Sequence, residues 1–317
     1  MAEADRLASG GKPANLNGMR TELDHLPDRK KRELLHVVRV LFEEFEDALA
    51  GRNAPHRKAG RILKVILFGS YARGDWVEDP VGGYFSDYDL LVVVNHDELA
   101  EVTEYWTAAE DHLVRDYVVT KHLATQASFI VHSLADVNKQ LKHGRYFFTD
   151  IVREGIALYE APDHPFAAPE SLSEETARAE AQGYFDKWFP SAEAFLRMAT
   201  GAIAAGDLKE AAFVLHQAAE RLYHSFLLVQ QLYSPKSHKL NFLRNLCEEL
   251  DNNLIAAWPR DSRFNQRCFE LLRRAYVDAR YSPHYKITPE ELGWLIERVG
   301  VLRNLVREAC EARLGSP

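Results

Sequence analysis

The chain has 317 residues and a formal net charge of −8 at pH 7, and its length favours two domains over one. An acidic balance argues against a dedicated nucleic-acid-binding protein, whose surface is ordinarily basic, without excluding a local basic patch. Three cysteines without CxxC spacing predict buried free thiols rather than a zinc site or a disulfide framework. No apolar run reaches membrane-spanning length and no secretory signal is evident, so we expect a soluble, cytoplasmic protein without a membrane partner.

The first half of the chain predicts a small mixed sheet with helices to one side. Residues 1–18 lack periodicity and predict a loose leader. Helical spacing of apolar residues predicts helices at Asp28–Ala50, Glu98–Val119, Asp136–His143 and Tyr146–Glu154. Short apolar runs predict strands at Arg61–Phe68, Phe85–Val94, Ala127–Ser133 and Ile156–Tyr159. The segment Asp75–Tyr84 contains Pro80, Gly82 and Gly83 and predicts a loop.

Two short motifs in this half indicate chemistry. Asp87 and Asp89 are two residues apart near the start of a strand, so both carboxylates point to the same face. Such a pair suits Mg²⁺, which fills its remaining positions with water and substrate phosphates. At the end of the preceding strand, Gly69 and Ser70 allow backbone N–H groups and a hydroxyl to approach an anion. Together the motifs predict a metal–nucleotide site.

The same residues carry a family resemblance. Residues 69–74 read Gly-Ser-Tyr-Ala-Arg-Gly, and Asp87-x-Asp89 follows at the opening of a hydrophobic strand. This pattern resembles the signature of the minimal nucleotidyltransferases of the DNA polymerase β superfamily, which include kanamycin nucleotidyltransferase. The resemblance implies an α+β fold and Mg²⁺-dependent transfer of an NMP group from an NTP, with ATP expected, to a hydroxyl acceptor. Whether that acceptor is a small molecule, a protein or an RNA is left open.

The resemblance also implies roles for individual residues. Asp87 and Asp89 would be catalytic metal ligands, and Gly69, Ser70 and Arg73 would bind the nucleotide phosphates. Active members carry a third carboxylate on a later strand, but Ala127–Ser133 contains no acid. His132 is the nearest candidate for that catalytic position, and Asp136 follows at a predicted helix N-cap. Three readings stay open: one of these two side chains substitutes, only one metal binds well, or nucleotide binds without efficient turnover.

The second half of the chain predicts a helical bundle. Prolines around residues 162–170 mark the expected linker, which gives a leader at 1–18, a nucleotidyltransferase domain at 19–161 and a helical domain at 171–317. Helices are expected from Ser173 to Ala205 with a break or kink at Pro190, and at Lys209–Leu232, Ser237–Asp251, Ser262–Arg280 and Pro289–Arg313. One face of the second helix carries His216, Glu220 and His224. We predict that these residues form a solvated or intersubunit polar stripe rather than a metal site.

This half resembles a HEPN domain in the stretches Glu210–Glu220, Ser237–Leu240 and Asp278–Tyr281. The resemblance implies a homodimer and a domain that binds nucleotide or acceptor beside the nucleotidyltransferase. HEPN ribonucleases use an Arg followed four to six residues later by a His, and the counterparts here are Arg280 and His284. Only three residues lie between them and one is a proline, which departs from the active motif. Tyr285 and Tyr281 are the candidates for self-adenylylation. Two alternatives follow: a catalytically weak, nucleotide-binding regulatory protein, or a toxin–antitoxin-type HEPN ribonuclease acting on RNA under control of its fused nucleotidyltransferase domain.

Overall fold

The computed structural model describes residues 19–51, 54–79 and 84–315, and these divide into two units. The first unit holds the described residues up to Glu78 together with Phe85–Ser171, and the second holds the chain from Leu172 onward with Asp79 and Tyr84. The predicted leader, residues 1–18, lies outside the described residues. A mixed sheet with helices forms the first unit and helices form the second, so the predicted α+β class is confirmed.

The elements of the first unit follow the predicted order. Its strands are β1 (Ile62–Phe68), β4 (Tyr88–Val94), β5 (Ala127–Ser133) and β6 (Ile156–Glu160), and the short strands β2 (Glu78–Asp79) and β3 (Tyr84–Phe85) each span a boundary between the two units along the chain. Its helices are α1 (Asp28–Leu49), α2 (Pro55–Lys58), α3 (Ser70–Arg73), α4 (Val102–Tyr105), α5 (Thr107–Val118), α6 (Leu134–Lys142) and α7 (Tyr146–Glu154). Short strands β2 and β3 pair within the segment predicted as a loop, while residues 80–83 lie outside the described residues.

The predicted helix over Glu98–Val119 is interrupted, and Trp106 is the reason. A 3₁₀ turn at Asp97–Ala100 and helices α4 and α5 replace the single helix. The Trp106 ring is fully buried, stacks on Phe45 with centroids 4.7 Å apart, and donates its indole N–H to the carbonyl of Leu99 at 2.7 Å. The Trp106 indole contacts Phe45 on one side and the backbone of Leu99, seven residues earlier, on the other. The chain turns between Leu99 and Trp106 to allow both contacts, so the helix is not continuous.

The main sheet has the strand order β5-β4-β1-β6. Strand β1 is antiparallel to both β4 and β6, whereas β4 and β5 are parallel, so the sheet is mixed as predicted. All residues of β1 and β4 are buried, which means that both faces of these central strands are covered.

The two faces of the sheet meet different helices. One face contributes Val65, Leu67, Leu90 and Val92 to a core that also contains apolar residues of α1 and α5. The opposite face carries Phe68 of β1, whose ring meets Phe147 of α7 at 5.4 Å. Side chains alternate between faces along a strand, so Asp89, which pairs with Phe68, lies on this second face.

The second unit is a bundle of α8 (Glu174–Ala205), α9 (Leu208–Gln231), α10 (Leu240–Leu250), α11 (Arg263–Tyr281) and α12 (Pro289–Gly315). Helix α9 lies at its centre and packs against the other four. Fully buried alanines on α9, among them Ala211, Ala218 and Ala219, allow close approach of its neighbours. Cys247, Cys268 and Cys310 are free and buried, as predicted.

Helix α8 continues through Pro190, so of the predicted break or kink the break does not occur. Proline removes one backbone donor from a helix, and burial of Phe189 and Ala192 on either side provides packing that offsets this loss. Among the described helices, none is long and apolar enough to cross a membrane.

Candidate active site

The pairing of β1 with β4 brings the two motifs of the first unit together. The strands are antiparallel, and Phe68 at the end of β1 lies opposite Asp89. The chain therefore enters Gly69 and Ser70 beside the residues that precede Asp89, which include Asp87. The neighbourhood expected from the sequence follows from this register.

Gly69 sets the direction of the turn. Its φ of 72° and ψ of −155° lie in a region that residues with a Cβ rarely adopt. Ser70 then opens the single turn of α3, which ends at Gly74 in the left-handed conformation with its N–H donated to the carbonyl of Ser70 at 2.8 Å. The glycines thus make a sharp strand-to-helix turn that keeps Ser70 buried beside the carboxylates.

The N-terminal segment holds the same turn from outside. Arg20 donates from Nη2 to the carbonyl of Ala72 at 2.7 Å, and His25 Nε2 lies 2.8 Å from the carbonyl of Tyr71. The last carbonyls of a helix have no partner within it, so these contacts satisfy groups that a one-turn helix leaves open. Neither residue stands out in the sequence.

Asp87 and Asp89 are 8% and 1% exposed, and Tyr88 between them fixes the direction of Asp89. Tyr88 points to the α1 face of the sheet, where its hydroxyl donates to Glu33 Oε2 at 3.0 Å. Asp89, the next residue of the strand, then points to the opposite face, and Asp87 directly precedes the strand. Burial together with the charge of Asp87 raises the pKa of Tyr117 in α5.

Behind Tyr88 lies a buried polar network that sequence reasoning missed. Lys30 Nζ donates to the hydroxyls of Tyr71 at 3.0 Å and Thr125 at 2.5 Å, and it forms an ion pair with Glu78. Burial alone would lower the pKa of Lys30, but the hydrogen bonds to Glu78 and Tyr71 raise it, so the ammonium stays charged. The available signal was that Lys30 and Glu33 fall at helical spacing with the apolar residues of α1.

The structure does not bring His132 to the carboxylate pair, which corrects that assignment. Ser128 of β5 lies beside Asp89, while His132 lies beside Val93, about 13 Å further along the strand. His132 Nδ1 is 2.6 Å from Asp136 Oδ2, and its ring meets the ring of Phe148 edge-on at 5.2 Å. Both side chains therefore serve the packing of α6 and α7.

The predicted N-cap at Asp136 is also corrected. Ser133 is the N-cap of α6, and its hydroxyl accepts the N–H of Asp136 at 3.0 Å. Serine stands directly before the first helical residue, whereas Asp136 already lies within the first turn, where a carboxylate favours the helix dipole.

Arg73 and Asp150 complete the surroundings of the turn. Arg73 lies in α3, with Nε 3.2 Å from Asp75 Oδ2. Burial raises the pKa of Asp150 in α7, against the lowering effect of the nearby Arg153 and Arg73 cations. Asp150 follows Phe147 by three residues on the helix that covers the face of Asp89, and no sequence pattern indicates this placement.

The donor set of this site fits Mg²⁺. Two buried carboxylates, with one residue between them and close in the fold to a serine at a glycine turn, offer the hard oxygen ligands that Mg²⁺ takes. One or two carboxylates leave other coordination positions open for water or phosphate oxygens.

Two families match separate parts of the chain. Residues 53–142 match a nucleotidyltransferase domain, and residues 185–309 match a HEPN domain. A 118-residue stretch is 33% identical to a Methanocaldococcus jannaschii protein named "Putative protein adenylyltransferase", covering 37% of this chain and 94% of that protein. The chain belongs to the nucleotidyltransferase family. It is therefore an enzyme that takes a nucleoside triphosphate, and its nucleotidyltransferase and HEPN domains are joined in the predicted order.

In the HEPN domain, the structure corrects the expectation for Tyr285. Tyr285 is 2% exposed, its hydroxyl donates to the carbonyl of Leu271 at 2.9 Å, and burial raises the pKa of its phenol. A phenol in this position is not accessible for adenylylation. Tyr281, the last residue of α11, is exposed. Arg280 lies directly before it with its guanidinium 4.6 Å from the ring centre of Tyr276, and His284 is exposed in the following loop.

His216, Glu220 and His224 on α9 of the HEPN domain are buried, so the solvated form of the predicted polar stripe is wrong, and its intersubunit form stays a prediction. Glu220 lies within ion-pair distance of three imidazoles, with His238 Nδ1 at 3.0 Å and His216 Nδ1 at 3.7 Å. His224 Nε2 is 3.9 Å away. Burial lowers the pKa of His216 to about 3 and that of His224 to about 4, and it raises the pKa of Glu220. We refer to His216, Glu220, His224 and His238 as the α9 cluster.

Proposed function

We propose that this nucleotidyltransferase transfers an NMP group from Mg²⁺-bound NTP to a hydroxyl and releases pyrophosphate. The observation that carries the proposal is the placement of the Gly69–Ser70 turn beside two buried carboxylates, Asp87 and Asp89. In the reaction the acceptor oxygen bonds to the α-phosphorus, the bond from that phosphorus to the β-phosphate oxygen breaks, and the hydroxyl proton leaves to solvent or a base.

The protein groups of the site would act by positioning and by charge. The backbone N–H groups and hydroxyl at Ser70 would bind the β- and γ-phosphates, and Arg73 would add a cation beside them. Asp87 and Asp89 would hold Mg²⁺, and Mg²⁺, when bound, neutralises charge on the triphosphate. Most of the rate enhancement would then come from fixed geometry in a largely dry site.

For the acceptor we favour a protein side chain, with ATP as the donor. The support is the name of the archaeal relative, which describes a protein adenylyltransferase. Small-molecule and RNA acceptors are the alternatives that the experiment below separates.

Homodimerisation through the HEPN domain stays a prediction, which sedimentation of the full chain measures directly.

The first prediction concerns the two aspartates. The full chain is incubated with Mg²⁺ and each α-³²P-labelled NTP in turn, and pyrophosphate release and label transfer to protein or RNA are measured. We expect transfer from ATP, and we expect Asp87→Asn/Asp89→Asn to reduce it by at least about 100-fold because charge stabilisation is lost.

The matched control is Asp111→Asn, an exposed aspartate of α5, which should retain full activity. Equal Mg·NTP binding and equal turnover in the double variant and the unaltered protein would refute the metal assignment. RNA cleavage that disappears only in His284→Ala would instead support the ribonuclease alternative.

A further inference from the structure

Three histidines surround one buried carboxylate in the first unit. His112 and Asp116 lie one turn apart on α5, His36 comes from α1, and His122 follows α5. Asp116 Oδ2 is 2.6 Å from His36 Nε2 and 3.5 Å from His112 Nε2. Asp116 Oδ1 is 3.4 Å from His122 Nδ1. We refer to these four residues as the Asp116 cluster.

Three members of the cluster have the spacing of ligands around one ion, and His112 lies next to Asp116 outside that set. The coordinating atoms of His36, Asp116 and His122 all lie within 4.8 Å of one another. Around a tetrahedral Zn²⁺ with bonds of roughly 2.0–2.1 Å, neighbouring ligand atoms are about 3.3 Å apart. The separations of Asp116 from His112 and His122, 3.5 and 3.4 Å, are close to this value and long for hydrogen bonds.

The hydrogen bonding of His112 is compatible with a metal ligand. Its Nδ1 lies 2.6 Å from Glu44 Oε1, and an ionised carboxylate only accepts, so Nδ1 carries the proton. Its Nε2 faces a second carboxylate, Asp116 Oδ2, at 3.5 Å. An imidazolium would donate to both carboxylates, and a metal ion would take the place of the Nε2 proton and leave a neutral ring as its ligand. A histidine that donates one ring N–H to a carboxylate while its other nitrogen binds metal is a common metal-site arrangement.

The remaining members can reach an ion with small movements. Arg39 Nη2 lies 2.7 Å from His36 Nδ1, so in the metal-free state the proton of His36 is on Nε2 and is donated to Asp116. Metal binding at Nε2 requires that proton to move to Nδ1, which the exposed Arg39 side chain permits by turning away. His122 is 65% exposed and free to close on the ion. Thr120 donates to Asp116 Oδ1 at 2.9 Å and steadies the carboxylate.

We propose that His36, His112, Asp116 and His122 bind a first-row transition-metal cation, with Zn²⁺ as the ion that fits best. Three imidazoles and one carboxylate select such a metal, whereas Mg²⁺ prefers oxygen ligands only. This site is therefore chemically different from the Asp87/Asp89 pair. Four protein ligands leave no open position on a tetrahedral ion, so the metal is structural and joins α1, α5 and the segment before β5.

The test uses Co²⁺ as a spectroscopic probe on the full chain without an affinity tag. We expect one Co²⁺ per chain with the visible absorption of a four-coordinate ion, and Zn²⁺ should displace it. His122→Ala removes an exposed ligand without disturbing the core and should weaken binding more than tenfold. Glu44→Gln should weaken it roughly 10–100-fold, as other outer partners of metal-bound histidine do.

The control is His143→Ala, another exposed histidine of the same unit, which should bind Co²⁺ as the unaltered protein does. The proposal fails if no visible absorption develops, or if His122→Ala and the unaltered protein bind equally. It also fails if Asp87→Asn/Asp89→Asn abolishes the absorption, because the ion would then occupy the candidate active site. Far-UV circular dichroism of each variant confirms that it is folded.

Discussion

Gly69 is the residue on which the geometry of the active-site turn depends most directly. Its backbone lies in a region where a side chain is strained, so Gly69→Ala should cost about 1–3 kcal/mol of unfolding free energy. Relief of that strain by rotation of the turn would move the Ser70 backbone N–H away from the position proposed for the phosphates. We expect urea unfolding to show the loss of stability and a fluorescent ATP analogue to bind more weakly.

Gly293→Ala supplies the matched comparison for this variant. Gly293 lies within α12, and an added Cβ meets nothing within 4 Å. Replacing a helical glycine by alanine at such a position should leave stability unchanged or raise it by up to about 1 kcal/mol. If both variants behave alike, the strain argument for Gly69 is incorrect.

At the residue scale, the sequence pattern predicted the features that depend only on the local backbone, such as the direction of a strand side chain and the position of a turn. Strand alternation directs Asp89 to the face opposite Tyr88, and the glycine marked the turn. The buried hydrogen bonds of Lys30 and Glu33 were not predicted. Their partners, Tyr71 and Tyr88, are far away in sequence and become neighbours only when α1 packs on the sheet.

Among the elements, strand β4 carries Asp89 of the candidate active site, and helix α1 packs against β4 and contacts it through Tyr88. The Tyr88 hydroxyl donates to the buried Glu33, so Tyr88→Phe leaves that carboxylate with one donor fewer. We expect about 1–3 kcal/mol of destabilisation in urea unfolding. Tyr281→Phe removes the hydroxyl of an exposed tyrosine and should change nothing. A loss for Tyr88→Phe no larger than this control would show that the contact is dispensable.

Element positions were largely predictable, whereas the relation between elements was not. The strand at Ala127–Ser133 was predicted at both ends, yet its register against β4 puts Ser128 rather than His132 beside Asp89. Register between strands separated by helices depends on packing across the whole sheet. The prediction of one helix over Glu98–Val119 was wrong for a similar reason, because the tertiary contacts of the buried Trp106 outweigh local helix propensity.

For the molecule as a whole, the α9 cluster predicts how stability responds to acid. His216 and His224 stay neutral in the folded HEPN domain down to pH values near their pKa values of about 3 and 4, while the unfolded chain takes up their protons below about 6.5. The unfolded state then binds more protons, so stability is highest above this pH and falls on acidification. The raised pKa of Glu220 acts with the opposite sign and offsets part of the effect.

We therefore expect urea unfolding of the HEPN domain to lose roughly 1 kcal/mol per pH unit as pH falls below about 6.5. His216→Gln removes one of the titrating groups and should flatten this slope, whatever its effect on absolute stability. His284→Gln, a change at an exposed histidine, should leave the slope intact. An unchanged slope in His216→Gln would remove His216 from the explanation.

The buried cysteines have a practical consequence for studying this enzyme. Burial raises the pKa of the Cys268 thiol to about 11 and that of Cys310 to about 12, and it also raises the pKa of Cys247. Thiolate is the nucleophilic form, so native cysteines of this kind react slowly with maleimides. A single cysteine introduced at an exposed position can thus carry a fluorophore without removal of the natural thiols. Two such positions, one in each domain, would report by energy transfer whether nucleotide binding changes the distance between the domains.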